Sequence, residues 1–384
     1  MPNPDWFTLG VEEEYLLIDR HSKALVVDPP ESIFAMARRE VGSKVQVTHE
    51  MMRSQIEVAT RKHHNVADVR ADLLHGRRSI AAVAQAFGVA PLAVSTHPFT
   101  SWNEMLSTPR ERYDRVVTDL QRVSLRGPFC GMHVHIGIPD EETRIDLMNR
   151  ITPFLPVLLA LSTSSPFWGG EETGLKCYRL AVAGAWPRGG FPDVFSTWNE
   201  YADFVDKLVA AEVIPDGTMV WWLVRPSARF PTVEIRLFDC CTRLDDALSI
   251  VALCQSLMRC LHRRPDINRD YTGYRRLFVE ENRWRAQRFG SETSWLDWRQ
   301  GCLVPMTERI NEVVDLVAED AIALGCSHEV QAAVSIVTRG TSADAQLEIF
   351  RNASTATVFR SPKVGRSSEA AIVEGYIGGS SAGH

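Results

Sequence analysis

Up to about residue 240 the apolar and polar positions fall mostly in short runs with strand periodicity; beyond it they repeat at helical spacing. The cleanest alternation is at residues 232–239, where Val233, Ile235 and Leu237 take one face and Glu234 and Arg236 the other. Residues 7–18, 53–60, 90–95, 131–138 and 219–225 have the same β-forming composition. Residues 66–87 read as a helix, with Val66, Val69, Leu73, Ile80, Val83 and Phe87 on one stripe and Gly88 as the stop. Asp140 is placed to cap a helix from 141 towards 162, kinked by Pro153 and Pro156. Thr197 and Glu200 have capping-box spacing ahead of a helix to about residue 213. Thr242 opens another helix through Leu244, Leu248, Val251 and Leu261. From 274 to 351 helical patterns dominate, with breaks at Gly290, Gly301, Gly325 and Gly340.

Strands and helices do not alternate regularly, which argues against a parallel barrel or a doubly wound sheet. The pattern predicts an α+β fold, a largely antiparallel sheet with helices packed on one face. No linker divides the chain, so residues 1–360 are expected to form one catalytic domain. The Gly/Ser-rich residues 361–384 are expected to be a flexible tail.

Charge and cysteine content narrow the function classes. The 42 basic and 48 acidic side chains give a net charge of −6, so no nucleic-acid partner is expected. No apolar run of about 18 residues marks a membrane span, and residues 1–10 lack the pattern of a secretory signal. The 8 cysteines include no Cys-x-x-Cys pair and are too sparse for a disulfide scaffold. Reduced thiols and a cytoplasmic location are the expectation.

Four strands carry polar residues that the apolar pattern does not explain. In Gly10-Val-Glu-Glu-Glu-Tyr-Leu-Leu-Ile18, Glu12 and Glu14 share one face and Glu13 takes the other. Leu16 and Ile18 have the parity of Glu12 and Glu14, so that face is apolar beyond the acids. Two carboxylates there repel each other and lose hydration unless a cation compensates, and a hard divalent ion suits oxygen ligands. Glu57 stands alone among apolar neighbours, and by itself reads as a structural glutamate. His133 and His135 share a face, a spacing that fits either zinc or hydrogen-bonded sheet histidines. Glu234 and Arg236 read either as a cross-strand ion pair or as a metal-binding carboxylate beside an arginine that neutralises anionic oxygen. With Glu12, Glu14, Glu57, His133, Glu234 and Arg236 on one surface, the sheet becomes a hard-cation cup with one arginine. Such a cup suits a nucleotide phosphate chain bridged by Mg²⁺. Residues 169–176 fail the Walker pattern, and neither Gly-x-Gly-x-x-Gly nor Gly-x-Ser-x-Gly occurs.

Five segments, in this order along the chain, resemble the carboxylate–amine ligase family, the YbdK-like or type-2 glutamate–cysteine ligase group. They are Thr8-Leu-Gly-Val-Glu-Glu-Glu-Tyr-Leu-Leu-Ile18, Gly131-Met-His-Val-His-Ile-Gly137, Trp221-Trp-Leu-Val-Arg-Pro-Ser227, Thr232-Val-Glu-Ile-Arg236 and Asn282-Arg-Trp-Arg-Ala286. The resemblance implies a glutamine-synthetase-like fold, an antiparallel cup with helices behind it. It implies ATP with Mg²⁺ or Mn²⁺, and small-molecule substrates: glutamate and an amine such as cysteine. In the implied reaction ATP phosphorylates the γ-carboxylate and the amine attacks the acyl phosphate. Glu12, Glu14, Glu57, His133 and Glu234 are then the implied metal ligands. Arg236 and Glu57 are the implied catalytic residues, and Arg236, Arg225 and Arg179 the implied nucleotide-binding arginines. A homodimer and no membrane partner are also implied. Two alternatives stand beside this reading: a zinc-dependent amidohydrolase built on His133 and His135, and a non-catalytic nucleotide-binding relative. Trp221, Trp222 and Phe230 are candidates for the lining of an acceptor pocket.

Overall fold

The computed structural model describes residues 5–100, 105–125 and 129–358. The chain begins with β1 (Leu9–Asp19), α1 (Glu31–Val41), β2 (Val45–His49), β3 (Gln55–Thr60), α2 (Val66–Gln85) and β4 (Val89–Leu92). Next come α3 (Glu111–Leu120), α4 (Arg122–Leu125), β5 (Gly131–Gly137), α5 (Glu141–Ile151), α6 (Leu155–Ser162), β6 (Phe167–Trp168), β7 (Glu171–Glu172), α7 (Arg179–Ala183) and α8 (Trp198–Ala210). The remainder comprises β8 (Val224–Pro226), β9 (Thr232–Asp239), α9 (Leu244–Arg263), α10 (Gly273–Phe289), β10 (Ser294–Asp297), β11 (Cys302–Pro305), α11 (Met306–Leu324), α12 (Ser327–Arg339) and α13 (Ser342–Val358).

One 7-stranded sheet runs in the order β2-β3-β1-β5-β9-β8, with β4 paired to the end of β1. Every pairing in it is antiparallel. Helices α2, α5, α6 and α9 pack on the sheet, and α11 and α12 pack on α9 behind them. The α+β architecture with an antiparallel sheet and helices behind it is therefore as the alternation predicted.

Side-chain parity decides which face the helices cover. On β1, Leu9, Val11, Tyr15 and Leu17 are buried on the helix side. Here α2 crosses close to the sheet at Gly76, where a Cβ would lie 2.7 Å from Val58 Cγ1. Glu13 also points to this side, fully buried, 2.6 Å from the Arg77 guanidinium and accepting the Tyr15 hydroxyl. Arg77 donates further to the Thr242 and Cys241 carbonyls, so Arg77 ties α2 to the loop before α9 while Glu13 anchors it to β1. The middle glutamate of the triplet is thus structural.

Asp140 caps α5 by accepting the Thr143 N–H, and Thr197 caps α8 by accepting the Glu200 N–H, as expected. The helical stretch Glu141–Ser162 is long and apolar enough to cross a membrane by length and composition, but 83% of that window is buried inside the protein. It is a core element, bent at a short 3-10 turn over Thr152–Phe154. Seven cysteines are buried, Cys302 is exposed, and all eight are unpaired.

Some expectations are corrected. The helix near 242 begins at Leu244, because the Thr242 hydroxyl is used on the Ala93 carbonyl. Residues 219–225 are only partly a strand: a 3-10 turn over Gly217–Met219 precedes the short β8. Neither α1 with β2 nor the β10–β11 hairpin around Gly301 was anticipated. Their buried apolar positions are few, and helix α1 rests on Ile33, Phe34, Ala37 and Val41 alone. The proposed tail at 361–384 lies outside the described residues.

Candidate active site

The register sets the polar residues in a row across the open face of the sheet. Thr48 pairs with Glu57, and Glu57 with Glu14. Further along, Glu12 pairs with His133, His135 with Glu234, and Glu234 with Arg225. This face floors a cleft of about 710 Å³, a volume suited to small substrates.

At one end of the row, oxygens of Glu14, Glu50 and Glu57 lie within 4.8 Å of one another. Glu50 directly follows β2, and sequence reasoning missed it. Burial and then the Glu50 charge push Glu14 up to about 8, against the Gly131 N–H that donates to its Oε2 at 2.7 Å. Burial, followed by Glu12, Glu50 and Glu14, raises Glu57 well above the carboxylate range, although Thr48 Oγ1 donates to it at 2.9 Å. Burial raises Glu50 too. Three crowded carboxyls with raised affinity for protons form a site for positive charge, and an all-oxygen set fits a hard cation such as Mg²⁺ or Mn²⁺.

Next in the row, His133 Nδ1 lies 3.0 Å from Glu12 Oε2, and His135 Nε2 3.5 Å from Glu12 Oε1. Burial and the Arg236 charge lower His133 to about 4, so the ring is neutral at pH 7 and donates from Nδ1 to Glu12. Burial alone would raise Glu12, but the hydrogen bonds and charge of the two histidines hold it well below its usual range. The other nitrogen of His135, Nδ1, is 2.9 Å from Thr232 Oγ1.

At the far end Glu234 is clamped between two arginines. Arg225 donates from Nε at 2.9 Å and from Nη2 at 3.1 Å, and Arg236 donates from Nη1. Burial opposes ionisation of Glu234, but Arg236 and Arg225 outweigh it and hold the carboxyl far below its ordinary value. Glu12 and Glu234, expected as metal ligands, therefore lie on the cup face but outside the acidic trio, with their oxygens already engaged. Parity placed each on its strand face; their partners come from neighbouring strands.

Arg179 and Arg225, expected as nucleotide-binding arginines, both line the cleft, and most of their donors are engaged within the protein. Besides Glu234, Arg225 holds the Thr218 carbonyl at 3.0 Å. Arg179 donates to Asp239 Oδ1 at 2.9 Å, to the Phe238 carbonyl at 2.6 Å and to the Arg236 carbonyl at 3.3 Å. The β5–β9 register shifts between Met132 and Val134, a bulge that Arg179 braces from the cleft side. Arg179 is thus a support for the backbone of Arg236. Of the aromatic candidates, Trp222 is buried and stacks on Phe204, so it belongs to the core, whereas Trp221 and Phe230 line the cleft.

The Glu234 clamp gives a stability prediction. Glu234→Ala leaves Arg225 as a buried charge without its carboxylate, and urea denaturation is expected to show a loss of about 3–5 kcal/mol. An unchanged midpoint would mean that water reaches Arg225.

Residues 8–363 match the sequence model of glutamate–cysteine ligase family 2, GCS2. The chain belongs to this family. A relative from Rhodospirillum rubrum, provisionally named glutamate–cysteine ligase 2, is 49% identical over 349 residues, covering 90% of each chain. One from Jannaschia sp., with the same provisional name, is 44% identical over 345 residues, again 90% of each. Among solved structures, the glutamate–cysteine ligase of Francisella tularensis in complex with AMP superposes with a TM-score of 0.63 at 12% identity. That match covers 98% of this chain and 93% of the other. A bifunctional glutathione synthetase from Pasteurella multocida gives a TM-score of 0.66 at 13% identity, covering 98% of this chain and 52% of that longer one. At these identities the likeness shows the fold, which is the glutamine-synthetase-like cup that the motifs implied. As a GCS2 member the protein is a glutamate–cysteine ligase-like enzyme, in the carboxylate–amine ligase class.

Proposed function

We propose that this GCS2 enzyme uses ATP to phosphorylate the γ-carboxylate of glutamate and joins the activated acyl group to an amine, cysteine or another, releasing ADP and phosphate. The observation that carries the reading is the convergence of Glu14, Glu50 and Glu57 on the cleft floor, in the same field as Arg236. These three carboxylates would hold Mg²⁺ or Mn²⁺, which when bound neutralises phosphate oxygens and stabilises charge on the transferring group. Arg236 presents a planar fork to anionic oxygens, aimed by Glu234 from one side and by the braced bulge from the other. Glu12 orients neutral His133, so the middle of the row adds a hydrogen-bonding group without adding charge. In the second step the amine nitrogen attacks the acyl carbon, the bond from that carbon to the phosphate oxygen breaks, and phosphate leaves. A carboxylate of the cup takes the proton that the nitrogen loses.

The zinc amidohydrolase alternative is disfavoured by the histidine partners: His133 hydrogen-bonds Glu12, His135 lies 3.5 Å from it, and the acidic trio contains no histidine or thiol.

Hydroxylamine tests the proposal, because it traps an acyl phosphate as a stable hydroxamate. With ATP, Mg²⁺ and hydroxylamine, γ-glutamyl hydroxamate and ADP should form together only when glutamate is present. ADP release that ignores glutamate would contradict the reading.

The acidic trio also sets a pH dependence. A carboxyl whose folded value is raised contributes stability below its unfolded value, and that contribution is lost as pH climbs through the folded one. For Glu14 the window runs from 4.5 to about 8. Apo protein should therefore lose stability across that window, and Mg²⁺ should restore more of it at pH 8 than at pH 6. Below pH 8 its affinity should fall about tenfold per unit for each proton displaced. Thermal melts with and without Mg²⁺ check this, and a pH-independent shift would contradict it.

A further inference from the structure

The acceptor amine is the undetermined part of the reaction, and one wall of the cleft bears on it. Phe129, Leu180, Ala183, Trp186, Trp221 and Leu223 line that wall. Trp186 and Trp221 meet edge to face with centroids 5.0 Å apart, and Phe129 lies 6.0 Å from Trp186. The Arg188 guanidinium sits 5.1 Å from the centre of the Trp221 ring and donates to the Met219 carbonyl at 3.0 Å, which fixes that ring. All three aromatic rings remain partly exposed, although buried ring surface is available a few residues away at Trp222. Three large rings left open on one wall of a concave site form a face for an apolar group.

We propose that this aromatic wall is the subsite for the side chain of the acceptor, and that it selects an amine with a bulky apolar or aromatic body over cysteine. The inference rests on the ligase reading above and names the class of its second substrate.

The charge layout separates the two ends of the cleft. Glu50 and Glu57 lie by β2 and β3, with Arg110, Arg112 and Tyr113 on the same rim of the cleft. That cationic rim beside the acidic trio is where a phosphate chain finds its partners. Trp221 precedes β8 at the opposite edge of the sheet, where the Arg236 N–H donates to the Leu223 carbonyl. On the aromatic wall Trp186 Nε1 is buried, with no hydrogen-bond partner among the described residues. Recognition there is by ring and methyl surface. The single CH₂–SH of cysteine covers little of three rings, while each further buried methylene strengthens binding about fourfold. An acceptor such as leucine, methionine or phenylalanine therefore fits the wall better.

The test compares acceptors at saturating ATP, glutamate and Mg²⁺, with ADP release and product mass as readouts. Leucine, methionine, phenylalanine or phenethylamine should give kcat/KM at least about tenfold above that of cysteine and alanine. Trp221→Ala should raise KM for the bulky acceptors about tenfold and leave KM for ATP and glutamate unchanged, and Trp221→Phe should keep most of the affinity. A preference for cysteine or alanine would overturn the proposal. So would a rise in KM for ATP instead of the acceptor, which would make the wall a base site. Calorimetric titration with phenethylamine separates this from failure of the ligase reading, since it needs no turnover. If no amine supports ADP release but phenethylamine binds wild type and loses affinity in Trp221→Ala, the wall stands and the ligase reading falls. If phenethylamine does not bind, the wall assignment falls.

Discussion

Glu50→Gln is expected to lower glutamate-dependent ADP release by about 10²–10³-fold at saturating Mg²⁺, while raising the melting temperature of the metal-free protein. Both effects have one cause. Glu50 crowds Glu14 and Glu57, and its charge helps to push Glu14 up to about 8. Without a cation, removing one of three mutually repelling, partly buried carboxylates relieves the fold. With a cation, the same change deletes one oxygen ligand and part of the charge that holds the ion. The expected signature is thus a more stable apo protein whose melting temperature no longer responds to Mg²⁺. Glu57→Gln should behave alike. Glu12→Gln should cost less, because Glu12 is hydrogen-bonded to His133 and stands outside the acidic trio, although its charge also raises Glu57. If Glu12→Gln were the more damaging change, the cation would sit further along the row than proposed.

Arg236→Lys is expected to leave KM for ATP within about threefold and to reduce kcat by about 10²–10³-fold. Lysine keeps the positive charge and can still pair with Glu234. It loses the planar fork, so it cannot hold Glu234 and face two anionic oxygens in fixed geometry. Initial rates over an ATP series check the split. Intact kcat with a collapsed KM would make Arg236 a ground-state binding residue.

The open face of the sheet was legible because strand side chains alternate strictly. That rule paired Glu12 with Glu14, His133 with His135 and Glu234 with Arg236 on single strand faces and put Glu13 on the opposite one. It could not supply the partners, which depend on strand order. Glu234 is saturated by Arg225 because β8 lies beside β9, and Glu57 faces Glu14 because β3 lies beside β1. Glu50 escaped notice because it sits just past a 5-residue strand with only two deeply buried apolar side chains, Val45 and Val47. The sequence carried no mark of the internal partners of Arg179, which lines the cleft. Its use became visible only with the bulge in β9 and the buried Asp239. The aromatic wall shows the same limit: Trp221 and Trp222 are neighbours in sequence, and only the fold says which one meets the cleft.

The central claim is that the carboxylate is activated by phosphorylation on this acidic floor, and an isotope experiment tests it most directly. Glutamate labelled with oxygen-18 in its γ-carboxylate is turned over with ATP, Mg²⁺ and an amine, and the released phosphate is analysed by mass. The account predicts that one labelled oxygen moves into phosphate for each amide formed, and that Glu50→Gln suppresses both together. Amide formed or hydrolysed without ATP, with no label in phosphate, would contradict it.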